Sequence, residues 1–196
     1  MEAGTAPTRV VIAEDEAIIR LDLKELLEEE GYEVVGETAR GDEAIELVRE
    51  HTPDLVILDV KMPGMDGLTA ARHITGERLA AVLILTAFSQ RDLVEQARDA
   101  GAAAYLVKPF QKSDLMPAIE IALGRFRELM TLEADVGHLQ ERLDARKIID
   151  RAKGKLMDSN GLSEQDAWRF LQTEAMNRRA KIHDVAEQVV AGDLNP

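Results

Sequence analysis

The sequence contains no cysteine, which excludes disulfides, zinc–thiolate centres and thiol nucleophiles together and fits a reducing compartment. Long apolar runs are missing too. The longest uncharged stretch, Leu79 to Gln90, is too short to span a bilayer and is interrupted by Thr86 and Ser89. The segment from Met1 to Thr8 lacks the basic start and apolar run of a secretory signal. A cytoplasmic protein with no membrane segment is the expectation.

With 196 residues, 45% of them hydrophobic, the chain can bury a real core, and two domains suit this length. The net charge of −13 is unevenly spread: residues 1–124 hold 12 Lys/Arg against 24 Asp/Glu, and residues 125–196 hold 12 against 13. An acidic first part repels nucleic acid, whereas a near-neutral second part with local basic clusters is free to bind it.

From Arg9 to Lys108, short β-rich runs alternate with amphipathic segments, the pattern of a parallel sheet wrapped by helices. The expected strands are Arg9 to Ala13, Glu33 to Thr38, Asp54 to Leu58, Ala81 to Thr86 and Ala104 to Val107. Helices are expected near 16–29, 41–50, 66–75 and 90–99, and from 113 onward. Leu55-Val56-Ile57-Leu58 and Val82-Leu83-Ile84-Leu85 do not alternate with polar residues, as strands covered on both faces require. The last helix has no clear stop before about Met157. It carries Leu129, Leu132, Val136, Leu139 and Leu143 at heptad spacing, a seam for dimerisation or for packing against its own domain. Asp158 to Gly161 reads as a turn, Ser163 to Asp166 as a capping box, and two further helices follow. The N-terminal tail is placed at 1–8, the α/β domain at 9–124, a helical linker at 125–144 and the rest of an all-α three-helix domain at 145–196.

Carboxylates gather at one end of the expected sheet. Glu14-Asp15 follows the first strand and Asp59 the third, at the carboxyl ends where open α/β sheets bind ligands. A flavodoxin-like strand order 2-1-3-4-5 makes those strands neighbours. Carboxylates this close repel unless a cation joins them, and Mg2+, which takes a few carboxylates plus phosphate oxygens, suits the set. Asp59 is then a carboxylate nucleophile toward phosphorus. Lys108 and the Thr86 hydroxyl, at the ends of the fifth and fourth strands, are placed to balance phosphoryl charge. Taken singly, each has a plainer reading as a helix cap, a strand residue or a solvated charge.

Taken together, Glu14-Asp15, Asp59 followed by Met62 to Gly67, Thr86-Ala87, Tyr105 and Lys108-Pro109-Phe110 resemble the receiver domain of two-component response regulators over residues 8–124. The resemblance implies phosphorylation of Asp59 by a sensor histidine kinase. It also implies Mg2+ held by Glu14 or its water, Asp15, Asp59 and the Lys61 carbonyl, and Thr86 with Tyr105 as a switch pair. A cis Lys108–Pro109 bond, aiming the lysine inward, is expected on the same ground. Glu14 departs mildly from the pattern, where aspartate is also common.

Basic residues in the second part fall into two clusters: Arg146, Lys147, Arg151, Lys153 and Lys155, then Arg178, Arg179 and Lys181. Such clusters grip phosphates or serve as solvated helix faces. Aromatics are scarce here, only Phe126, Trp168 and Phe170. Phe170 reads as core; Trp168, off the apolar stripe, is free to be exposed, with packing in a helical interface the favoured reading. The segments Ala145 to Met157, Gly161-Leu162-Ser163, Ala167, Leu171 to Met176 and Val185-Ala186 resemble the ANTAR domain of transcription antiterminators over about 133–190. That resemblance implies a dimerising module that binds RNA stem-loops. Two alternatives stay open: a DNA-binding helix-turn-helix, for which little room remains after Val190, and a protein-interaction output. A freestanding enzyme is not expected, and His51, His73, His138 and His183 lack metal-ligand spacing.

Overall fold

The computed structural model describes residues 6–87 and 91–196. Part of the expected N-terminal tail, and the Gln90 start of the expected fourth helix, lie outside the described residues. The chain divides into two compact units, Met1–Met130 and Thr131–Pro196.

In the first unit, strands β1 (Arg9–Ala13), β2 (Glu33–Thr38), β3 (Leu55–Asp59), β4 (Ala81–Thr86) and β5 (Ala104–Val107) form one parallel sheet in the order β2-β1-β3-β4-β5. Helices α1 (Ala17–Glu29), α2 (Gly41–His51), α3 (Gly67–Gly76) and α4 (Arg91–Asp99) connect the strands. This is the flavodoxin-like order expected from the sequence. Every residue of β3 and β4 is buried, as their unbroken apolar runs require. Side chains alternate between two cores. Val11, Ala13, Val56, Leu58, Val82 and Ile84 pack on one face with Ala44, Val48, Ala71 and Ile74 of α2 and α3. Val10, Ile12, Leu55, Ile57, Leu83 and Leu85 pack on the other with Leu23 and Leu27 of α1 and with Leu115, Ile119 and Ala122.

Helix α5 (Lys112–Asn160) lends its first turns to that second core. Its middle exposes Leu129, Leu132, Val136, Leu139 and Leu143, and its end joins the second unit through Ala152 and Leu156. In the second unit Ala152 and Leu156 pack with Ala167, Leu171 and Ala175 of α6 (Glu164–Arg178) and Val185, Ala186 and Val189 of α7 (Ile182–Ala191).

Two local expectations change. The turn expected at Asp158 to Gly161 is helical through Asn160, and the chain breaks only at Gly161, whose φ of +69° suits a residue without a β-carbon. At α6, Ser163 accepts from the Asp166 amide at 3.1 Å, but its hydroxyl also donates to the Asp166 carboxylate at 2.6 Å. A hydroxyl–carboxylate bond thus stands where a full capping box has a backbone bond.

Candidate functional site

The adjacency of β1 and β3 brings their carboxyl ends together, and the chain beyond each strand stays tied to the sheet. The Glu14 amide donates to the Thr38 carbonyl, that of Val60 to Leu85, and that of Lys108 to Thr86. Arg20 of α1 donates to the Glu14 carbonyl at 2.5 Å. Among the described residues, Glu14, Asp59 and Thr86, with Thr38, are the buried polar residues of a first unit whose interior is otherwise apolar. Glu14 directly follows β1, and Asp59 and Thr86 are the last residues of β3 and β4.

Ligand atoms from Glu14, Asp15 and Asp59 lie within 4.8 Å of one another, with Glu14 and Asp59 buried and Asp15 exposed. The Lys108 ammonium reaches Glu14 Oε2 at 2.6 Å and Asp59 Oδ1 at 2.8 Å. Asp59 Oδ2 accepts from the Lys61 amide at 2.9 Å, and Glu14 Oε1 from the Glu16 amide at 3.2 Å. Glu14 Oε2, in spite of its ion pair, makes no well-aligned hydrogen bond. The Lys108–Pro109 bond is cis.

Burial pushes the Glu14 carboxyl above the ordinary glutamate range; Lys108 opposes this and the Asp59 charge adds to it. Burial alone would lower the Lys108 ammonium, but Asp59 and then Glu14 outweigh it and hold it above the usual lysine value. The two shifts agree on one imbalance: two buried carboxylates share one ammonium, with the exposed Asp15 close by, so the lysine is oversupplied with negative charge and Glu14 undersupplied with positive. A second cation corrects this. Glu14, Asp15 and Asp59 offer only oxygen, and Glu14 Oε2 is a buried acceptor with capacity to spare, a donor set that fits a hard divalent ion.

Above Asp59 opens a cavity of ≈ 250 Å³ lined by Asp15, Glu16, Asp59, Val60, Lys61, Thr86, Ala87 and Lys108. The sequence-derived set of Glu14, Asp15, Asp59, Lys61, Thr86 and Lys108 is thus gathered in one place. Tyr105 pairs with Ile84 in the β4–β5 ladder, which puts it on the same sheet face as Thr86, but its side chain is 47% exposed while Thr86 is buried. Sequence reasoning missed the part played by Gly67. A β-carbon there would lie 1.9 Å from the Asp59 carbonyl oxygen, so only glycine lets the loop after β3 close under the acceptor. The glycine is visible in the Met62 to Gly67 segment; its contact with Asp59 is not.

In the second unit the basic residues divide by partner. Lys147 pairs with Asp144 at 2.9 Å, Lys153 with both Asp150 and Glu164 at 2.9 Å, and Arg178 with Glu174 at 2.8 Å. Lys155 donates to the Val190 carbonyl at 3.1 Å, closing the end of α7. Arg146, Arg151 and Arg179 make no ion pair among the described residues, and the Lys181 amide donates to the Asp184 carboxylate as a cap at 3.3 Å. Trp168, expected inside a helical interface, is 37% exposed and borders an open cleft.

Comparison with known proteins agrees with both halves. Residues 10–120 match the response regulator receiver domain, and residues 137–190 match the ANTAR domain. The chain is 59% identical over 187 residues to the transcriptional regulatory protein PdtaR of Mycobacterium tuberculosis, covering 95% of this chain and 91% of that one. Among solved structures it resembles the signal receiver domain of NarL from Mycobacterium tuberculosis, with a TM-score of 0.59 and 31% identity over 61% of this chain and 98% of that one. It also resembles a CheX–CheY–BeF3–Mg2+ complex from Borrelia burgdorferi, with a TM-score of 0.55 and 28% identity over 58% of this chain and 87% of that one. The chain belongs to the response regulators, with a receiver domain in its first unit and an ANTAR domain in its second.

Proposed function

We propose that Asp59 takes a phosphoryl group from the phosphohistidine of a sensor histidine kinase and that the modified protein acts as a transcription antiterminator by binding RNA stem-loops. The observation that carries the first half is the Asp59 carboxylate, buried beneath the ≈ 250 Å³ cavity with Lys108 at 2.8 Å. An Asp59 carboxylate oxygen attacks phosphorus; the P–O bond forms as the P–N bond to the kinase imidazole breaks, and the ring leaves with the electron pair. Lys108 and the Thr86 hydroxyl offset charge on the transferred oxygens. Glu14, Asp15, Asp59 and the Lys61 carbonyl would hold Mg2+. Bound there, it supplies positive charge that lets phosphate oxygens approach the carboxylates. The chain turns over only its own phosphoryl group and has no other substrate.

The phosphoryl charge draws the Thr86 hydroxyl inward and the half-exposed Tyr105 ring follows into the vacated space, shifting the population toward an active form. The assigned limits are 9–124 for the receiver, 125–144 for the linker and 145–196 for the remainder, with the output module as a whole at about 133–190. In the output module, Arg146, Lys147, Arg151, Lys153, Lys155, Arg178, Arg179 and Lys181 form the basic set for RNA. Leu129, Leu132, Val136, Leu139 and Leu143, all exposed, form a seam for a homodimer. A cytoplasmic location suits a cysteine-free chain that meets both a kinase and RNA.

The test is a titration of labelled stem-loop RNA against duplex DNA, with phosphorylated and unmodified protein. Salt-sensitive binding to the stem-loop, tighter after phosphorylation, is expected. Preference for duplex DNA would replace the RNA reading with a DNA-binding one, and binding to neither would leave a protein partner as the output.

A further inference from the structure

Arg142, Ala145, Arg146, Ile149 and Lys153 recur at helical spacing along α5, and with Asp150 beside them and Trp168 of α6 they line a cleft of ≈ 470 Å³ within the second unit. Its charges are unequal in availability. Lys153 neutralises the lining carboxylate of Asp150 and that of Glu164 at 2.9 Å each, whereas Arg142 and Arg146 make no ion pair within 4 Å among the described residues, Arg146 acting on Asp150 only through its charge at longer range. Ala145 and Ile149, both half-buried, give the cleft an apolar floor. The indole at its edge is the only tryptophan in the chain, and it stays exposed although the core of Ala167 and Leu171 lies within four residues of it.

An indole over an apolar floor with two spare guanidinium groups has the parts of a nucleotide site: a π-face for a base and cations for its phosphates. Bases inside a duplex are stacked and paired and cannot enter a cleft of this kind; an unpaired loop base can. From this cleft we infer that Trp168 stacks on one unpaired base in the loop of a stem-loop RNA, with Arg142 and Arg146 holding the flanking phosphates. The inference rests on the RNA reading above and names the groups that make the contact.

Because the chain has one tryptophan, its emission reports this site alone. Titrating the full-length protein with a stem-loop should quench the indole, and the same sequence closed into a complete duplex should not. Binding measured by anisotropy of labelled stem-loop RNA should weaken roughly 5- to 100-fold in Trp168→Ala, the loss of one stacked base, and recover in Trp168→Phe. Replacing both Arg142 and Arg146 by glutamine should lower the salt slope by about two. If labelled RNA binds the wild type without quenching, or binds Trp168→Ala equally well, the stacking inference falls and the RNA reading stands. If labelled RNA binds no form of the protein, both fall.

Discussion

At the residue scale, the Lys108 ammonium faces Glu14 and Asp59 at 2.6 and 2.8 Å in a site nearly closed to water. Removing one member of a buried charge set strands the others. Lys108→Ala should therefore cost about 3–5 kcal/mol of stability, seen as a lower urea midpoint, with millimolar Mg2+ restoring part of the loss. A urea midpoint unmoved by the substitution would mean that solvent already screens the carboxylates. Gly67→Ala makes a different demand: its methyl group must displace the Asp59 carbonyl, 1.9 Å away. A cost of at least about 1–3 kcal/mol and slower phosphorylation of Asp59 are expected, measured by denaturation and by phosphoryl incorporation. Glu14, Asp15, Asp59, Thr86 and Lys108 were legible in the sequence because each directly follows or ends an apolar strand. Gly67 was not, since a close backbone approach leaves no trace in composition or periodicity.

Among the elements, β1, β3 and β4 were the most legible, because strands covered on both faces are apolar throughout except at their ends, where Arg9, Asp59 and Thr86 stand. The end of α5 and the start of α6 were less so: Asn160 has low helix propensity, yet packing of Leu156 on the core carries the helix through it to Gly161. One contact between elements has a measurable consequence. Tyr32, after α1, donates to the Glu120 carboxylate on α5 at 3.1 Å. Burial, then that bond and the Glu120 charge, push its phenol up to about 12. With Tyr105 replaced by phenylalanine, the remaining tyrosine should ionise near that value in ultraviolet absorbance. The folded phenol keeps its proton more tightly than the unfolded one. Its contribution to stability is thus complete below pH ~10 and is lost as pH rises toward ~12. Ionisation near pH ~10 in the folded protein would mean that the α1–α5 contact is open in solution.

For the whole molecule, the question is how a charge added at one end of the sheet changes what the second unit binds. The exposed leucine and valine seam on α5, with Leu132, Val136, Leu139 and Leu143 each more than half exposed, is an apolar stripe that a second copy would cover. Sedimentation should show the phosphorylated protein moving toward a dimer, and Leu139→Asp should hold it monomeric without loss of phosphorylation. An unchanged mass in both forms would exclude dimerisation as the route of activation. The two-part organisation itself was legible from the charge imbalance between residues 1–124 and 125–196 and from the two sets of motifs. The division of the basic residues was not, because ion pairs such as Lys153 with Glu164 join positions that only the fold brings together. All of this depends on Asp59 as the acceptor. The most direct test is intact-mass analysis of the wild type and Asp59→Asn after incubation with Mg2+ and a small-molecule phosphodonor. The wild type should gain one phosphoryl group and the variant none; equal gain by both would contradict the assignment.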